Sequence, residues 1–406
     1  MSQKKFFIII AIILVVFVVS LGAYYFMIVS NPNGSKGDIL SGFKQFFPFG
    51  SNSSTSTPVA TNPIVDQPVG TTTNYNLKLR KIWSEPVAGA GLIDVKAGTV
   101  VRHVEKATGH IYETELFSPN QNRISNTTIP LIYNAVWGNK NKSLIAQYLL
   151  DDNETVNTYL LTVKNNATTT ENAITGYYLA DNVDSISTFG NTVFYLQKTD
   201  TGTKGFMGAL DSTNKKQIWD SPLRELISQS INDTTVALTT KPYPNVSGYL
   251  YTVTNNGVVR KILGNIAGLS AVVSLDTSKV LYLTQTNSAQ MYLYDKKSDS
   301  SITLTPTTFP EKCVWSKKDN TIVYCAVPKE SLNGSSLNSW YTGSVSFTDD
   351  IWRYNLKQNT SAIVGSLSDQ SGEAIDVIKP LLSDSEQYIV FINKIDGSLW
   401  SLDLTK

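Results

Sequence analysis

An all-β fold, a seven-bladed β-propeller, is what this chain predicts, and three observations predict it. Past Leu77 no stretch keeps a helical period; apolar residues alternate or come in short runs bounded by Ser, Thr, Asn, Asp and Gly. Similar units begin at Ala88, Leu131, Val183, Ile227, Leu269, Lys312 and Ala374, with spacings of 43, 52, 44, 42, 43 and 62 residues. A period in the forties with four short strands per unit marks a propeller. The last unit supplies only three strands, while a lone strand, Leu77–Trp83, precedes the first. Pairing the two completes seven four-stranded blades and removes the open sheet edges. Six or eight blades, an open β-solenoid or two separate β-domains are the other arrangements.

From the N-terminus, Phe6–Val29 carries no charged residue. At 1.5 Å rise its length reaches roughly 36 Å, enough to cross a hydrocarbon core of about 30 Å. A cleaved signal peptide has a shorter apolar run and a small-x-small site, whereas Ala23 here is followed by Tyr24, Tyr25 and Phe26. The expectation is an uncleaved signal anchor, a transmembrane helix over residues 6–29. Lys4 and Lys5 favour a cytoplasmic N-terminal tail over residues 1–5. The folded mass then lies outside, as a single-pass protein of the cell membrane.

Residues 30–76 are rich in Ser, Thr, Asn, Pro and Gly, and read as a flexible linker with a root-mean-square reach on the order of 40 Å. Within it, Ile39–Phe49 is either a collapsed apolar knot or a short amphipathic segment that touches lipid or a partner. The propeller then occupies residues 77–406.

The fourth and fifth units show the blade pattern best. They read LISQSI, TVALTT, GYLYTV, VVRKIL and GLSAVVS, KVLYLTQ, QMYLYDK, SITLTP. Connections between units share Pro130, Pro222 and Pro310, which end an outer strand and fix the following turn. In the sixth unit, folding Lys312–Pro328 about Asp319 sets Trp315 opposite Val323 and Cys313 opposite Cys325, within disulfide reach. A bond there stabilises the blade by about 2–3 kcal/mol and agrees with an oxidising compartment.

These units, with Ser-x-Asp turns followed by Tyr292-Leu293-Tyr294-Asp295 or Trp352-Arg353-Tyr354-Asn355, resemble TolB-type and WD-type repeats over residues 77–406. The Trp-Asp dipeptide of WD repeats occurs as Trp219-Asp220, without its Gly-His companion. The layout also resembles signal-anchored extracytoplasmic propellers of bacteria. That resemblance implies a binding scaffold and brings no catalytic residue with it.

Chemistry has little raw material. The 34 basic and 33 acidic residues balance, so charge does not point to nucleic acid. With Cys313 and Cys325 facing each other in one hairpin, no Cys is left to complete a zinc site around the two His, and neither a cofactor nor a metal is expected. His103 and His110 share the first unit, as a proton-transfer pair or as two polar positions on adjacent strands. The Gly-x-Ser-x-Gly elbow, the P-loop and HExxH are all missing.

Most suggestive is the insertion Pro328–Asp350 between the second and third strands of blade six, which accounts for the spacing of 62. Trp340 and Tyr341 on it either pack the insertion onto its own blade or form a recognition surface. Asp349 and Asp350 put carboxylates near the same rim. In blade four the equivalent connection, Lys241-Pro242-Tyr243-Pro244, faces the same funnel through Lys241 and Tyr243. The expected function is binding, without enzymatic activity: a scaffold for an envelope protein, peptide or glycan. The alternatives are a glycan-acting enzyme using Asp349 or Asp350 with Glu330, and an architectural component that self-associates.

Overall fold

Seven antiparallel sheets of four strands each make up a computed structural model that describes residues 76–125, 127–150, 155–164 and 173–406. The expected cytoplasmic tail, signal anchor and linker, up to residue 75, lie outside the described residues. Among those described, no helix is long and apolar enough to cross a membrane.

Six blades follow the chain in simple meanders. They begin with the strands Val87–Val95, Ile132–Gly138, Val183–Phe189, Leu226–Asn232, Ser270–Val273 and Cys313–Trp315. Several of these first strands touch the first strand of the next blade, which sets them around the central axis. The seventh blade holds Val377–Leu382, Tyr388–Asn393 and Leu399–Asp403. Its outer place is filled by Leu79–Trp83, which pairs antiparallel with Leu399–Asp403. Among the described residues the first strand thus bonds the last, and the ring is closed.

Burial explains the sequence pattern. Each second strand lies inside its blade with a neighbouring blade on either face. It therefore reads as a nearly continuous apolar run, as in Val193-Phe194-Tyr195-Leu196 and Ile389–Ile392. Outer strands meet solvent: all four residues of Ser300–Thr303 are exposed. Seven apolar clusters result, one at each junction between successive blades.

The Ser-x-Asp turns between first and second strands add polar stitching on one face. Asn320 of blade six donates to Asp276 of blade five at 2.6 Å. Glu386 of blade seven accepts from Ser316 Oγ and from the Lys317 and Lys318 amides at 2.8, 2.8 and 2.9 Å. The Ser385 amide donates to Asp94 of blade one. The turns on this face thus carry contacts between neighbouring blades.

Two departures have plain causes. The 52-residue spacing reflects nine-residue third and fourth strands in blade two, Val156–Lys164 and Ala173–Asp181, with residues 165–172 between them outside the described set. The 62-residue spacing comes from the insertion together with a second element, a short helix at Leu367–Ser371 before blade seven. A five-residue helix is too short to show a hydrophobic period.

Candidate functional site

Connections between second and third strands, and those leading into each blade, share the face opposite the Ser-x-Asp turns. On it the insertion folds into a helix, α1 (Ser336–Tyr341). It leans on blade five, where Asn333 bridges Ser288 and the Leu337 amide donates to Gln285 Oε1 at 3.3 Å. Gly334 is obligatory there, because a Cβ would stand 1.8 Å from the Thr286 carbonyl oxygen.

Trp340 is only 5% exposed. Its ring lies against Phe309 with 5.4 Å between centroids, and its indole N–H donates to Asp376 at 2.9 and 3.0 Å. Tyr341 is half-buried and gives its hydroxyl to Glu311, which also accepts from Ser270 Oγ at 2.7 Å. Burial pushes the Glu311 carboxyl above its ordinary range, although both hydroxyl donors pull it back. Trp340 and Tyr341 thus bind the insertion to the residues leading into blades six and seven.

The two aspartates correct the expectation of a carboxylate rim. Asp349 is fully buried, and Asp350 is 7% exposed. Asp350 accepts from the Leu367 amide at 3.0 Å and pairs with Lys329 at 3.6 Å, capping the start of the helix at 367. Glu330 accepts from the Thr348 amide at 3.0 and 3.1 Å. These carboxylates hold backbone that would otherwise lack partners.

Asp349 meets a residue that sequence reasoning passed over. Lys312 is fully buried, with Nζ 2.6 Å from Asp349 Oδ2 and 2.6 Å from Asp376 Oδ1. Val377 N also donates to Asp349 Oδ2 at 2.7 Å. Burial pushes the Asp349 carboxyl up to about 6 despite the lysine beside it. A signal for Lys312 was present: it is the one charged residue among the seven unit starts, the other six being Ala, Leu, Val or Ile.

Lys241 and Tyr243 differ from all of these. Lys241 is half exposed beside Glu225, at 3.4 Å. Tyr243 is 58% exposed and Val246 54%. Asn245 N, 3.4 Å from Gln285 O, seats this arm on the blade-five connection that also carries the insertion. The three connections therefore adjoin in series.

Cys313 and Cys325 face each other in register and are disulfide-bonded. His103 is fully buried between Trp83 and Tyr112, with ring centroids 4.9 and 5.5 Å away. Burial pushes its imidazole down to about 3, and neither ring nitrogen has a partner among the described residues. His110 lies 3.3 Å from Thr128 Oγ1. Among the described residues no group of three or more His, Cys, Asp or Glu stands ready for a metal ion. Two open clefts of about 360 and 380 Å³ lie between blades three and four and between blades five and six, on the face of the Ser-x-Asp turns.

No family model and no curated protein matches the chain. Solved structures resemble it in fold. The β-propeller domain of the Trilobed protease from Pyrococcus furiosus aligns with a TM-score of 0.50 at 9% identity, covering 80% of this chain and 97% of that one. An oligogalacturonate lyase in complex with manganese aligns at 0.48 with 12% identity, over 79% and 98% of the two chains. TolB from Acinetobacter baumannii aligns at 0.39 with 10% identity, over 77% of this chain and 63% of that one. At such identities the likeness is one of fold, and no site residue transfers.

Proposed function

We propose that this protein is a membrane-anchored, extracytoplasmic propeller that acts as a binding scaffold at the cell envelope. The segment over residues 6–29 holds it with its N-terminus in the cytoplasm. The face built from the blade-four arm, the blade-five connection and the insertion receives an envelope protein, peptide or glycan.

One observation carries this reading: the exposure of Tyr243 and Val246 on an arm stiffened by Pro242 and Pro244 and seated on blade five. A large aromatic surface on a short, restrained segment loses little entropy when a partner covers it, so most of its burial becomes affinity. The closed ring beneath supplies the rigidity. The glycan-acting alternative has less support, since Asp349, Asp350 and Glu330 are all engaged by protein donors.

The test is crosslinking capture from native envelopes with the full chain, beside a Lys241→Ala, Tyr243→Ala variant of unchanged melting temperature. A partner captured by the parent and lost by the variant supports the reading. Equal capture by both removes the arm from the site. Capture of the chain's own copies alone, with concentration-dependent sedimentation, points to self-association instead.

A further inference from the structure

Lys312, Asp349 and Asp376 form a dry, closed triad, since all three are fully buried. The Lys312 Nζ sits 5.1 Å from the Trp340 ring and 5.4 Å from the Phe347 ring, so amine and acids meet inside an aromatic wall. The two carboxyl groups are not equivalent. Asp376 is surrounded by donors: Lys312 Nζ, the Trp340 indole to both oxygens, and the Phe347 amide at 3.1 Å. Such a shell suits an anion. Asp349 accepts through Oδ2 only, and its buried Oδ1 has no partner among the described residues. An oxygen without donors suits the neutral acid, the direction in which burial also pushes this group.

An amine and a carboxylic acid in contact, with a base alongside and water excluded, are the reactants of amide condensation. Holding reactants in place is worth effective concentrations of about 10⁵–10⁸ M. Burying separated ions is unfavourable, and a neutral amide avoids that cost.

We propose that Lys312 and Asp349 condense to an intramolecular amide, with Asp376 as the catalytic base and acid of the step. Asp376 takes a proton from the Lys312 ammonium. The freed lone pair on Nζ attacks Cγ of the Asp349 acid and forms the C–N bond. Asp376 then passes its proton to the departing hydroxyl, the C–O bond breaks, and water leaves. The nitrogen gives its surplus proton back to Asp376. Of the three ammonium protons and the carboxyl proton, one stays in the amide, two leave in water and one remains on Asp376. Nothing is oxidised or reduced, and the site ends without a charge.

The bond would join the residue before the first strand of blade six to the first residue of its third strand. The disulfide already ties that first strand to the second. The amide would thus fix the end of the insertion independently of what binds on that face.

Peptide mapping of the reduced, denatured full-length protein by tandem mass spectrometry tests this. The expected result is one branched peptide joining Lys312 to Asp349, lighter by one water than its parts, with trypsin unable to cut after Lys312. Lys312→Arg should abolish it, and Asp376→Asn should lower its yield at least about tenfold, the low side of what general acid–base catalysis contributes. Linear peptides alone in the parent overturn the proposal, as does a water loss confined to Asp349 with the peptides separate. The parent map decides about the bond whether or not the variants fold. Full branching in Asp376→Asn overturns the role given to that residue.

Discussion

The two junctions that flank blade seven both bury a titratable side chain, and they resolve its charge in opposite ways. Between blades six and seven, Lys312 Nζ lies against two aspartate side chains supplied by separate connections. Between blades seven and one, His103 lies among Trp83 and Tyr112 with no partner for either nitrogen among the described residues. A buried amine is accommodated only beside groups that take its hydrogen bonds or its proton, so the fold brings two acids to it. An imidazole loses its proton near neutrality, so burial alone suffices, and the ring packs as an aromatic. The first junction therefore depends on partners drawn from distant parts of the chain, and the second on pH.

The largest expected effect comes from breaking the first junction. Lys312→Met takes from Asp349 and Asp376 the buried donor they share, and stability should fall by about 3–5 kcal/mol in denaturant unfolding at neutral pH. A loss below about 1 kcal/mol would mean that the carboxylates do not need the lysine.

Acid probes the second junction. The folded state holds the His103 imidazole at about 3, against 6.5 for the free side chain, so the unfolded chain binds more protons between those values. The stabilising contribution is complete above pH 6.5 and declines as pH falls toward 3. Between pH 7 and pH 4 it amounts to on the order of 3 kcal/mol. His103→Phe should leave stability at pH 7 nearly unchanged and flatten this component in a series of denaturation midpoints against pH. An unaltered acid slope in that variant would assign it to other groups.

Smaller effects sharpen the contrast. Trp340→Phe keeps the ring stack with Phe309 but removes the N–H that Asp376 accepts, and should cost about 1–3 kcal/mol of stability by thermal or chemical unfolding. Tyr243→Ala, on the same face but exposed, should change stability by less than about 0.5 kcal/mol. A larger loss would show that the blade-four arm is part of the fold.

Much of the fold was legible because its signals are local. A tight turn at Lys317–Asn320 and a period of two set Cys313 against Cys325 and Trp315 against Val323, and those pairs occur. The four strands of blade five were readable because its apolar runs are punctuated by the polar stretches DTS (276–278), TNSA (286–289) and KSDS (297–300). The site was less legible. Trp340 reads equally well as packing or recognition until its partners are known, and Asp376 stands 36 residues away. Asp349 and Asp350 looked like a rim because they end a polar insertion; the chain turns inward there, and both become ligands for buried donors.

The sequence by itself determined the repeat, its expected seven units and the register of the hairpin about Lys317–Asn320, all of which rest on neighbours in the chain and on burial of alternate faces. Only the tertiary structure decided that Lys312, Asp349 and Asp376 share one buried site, that Trp340 is sealed while Tyr243 stays open, and that burial pushes the His103 imidazole down. Each of those depends on the local dielectric and on which distant groups fill the space. Closing the ring sets both, by pressing the faces of successive blades together.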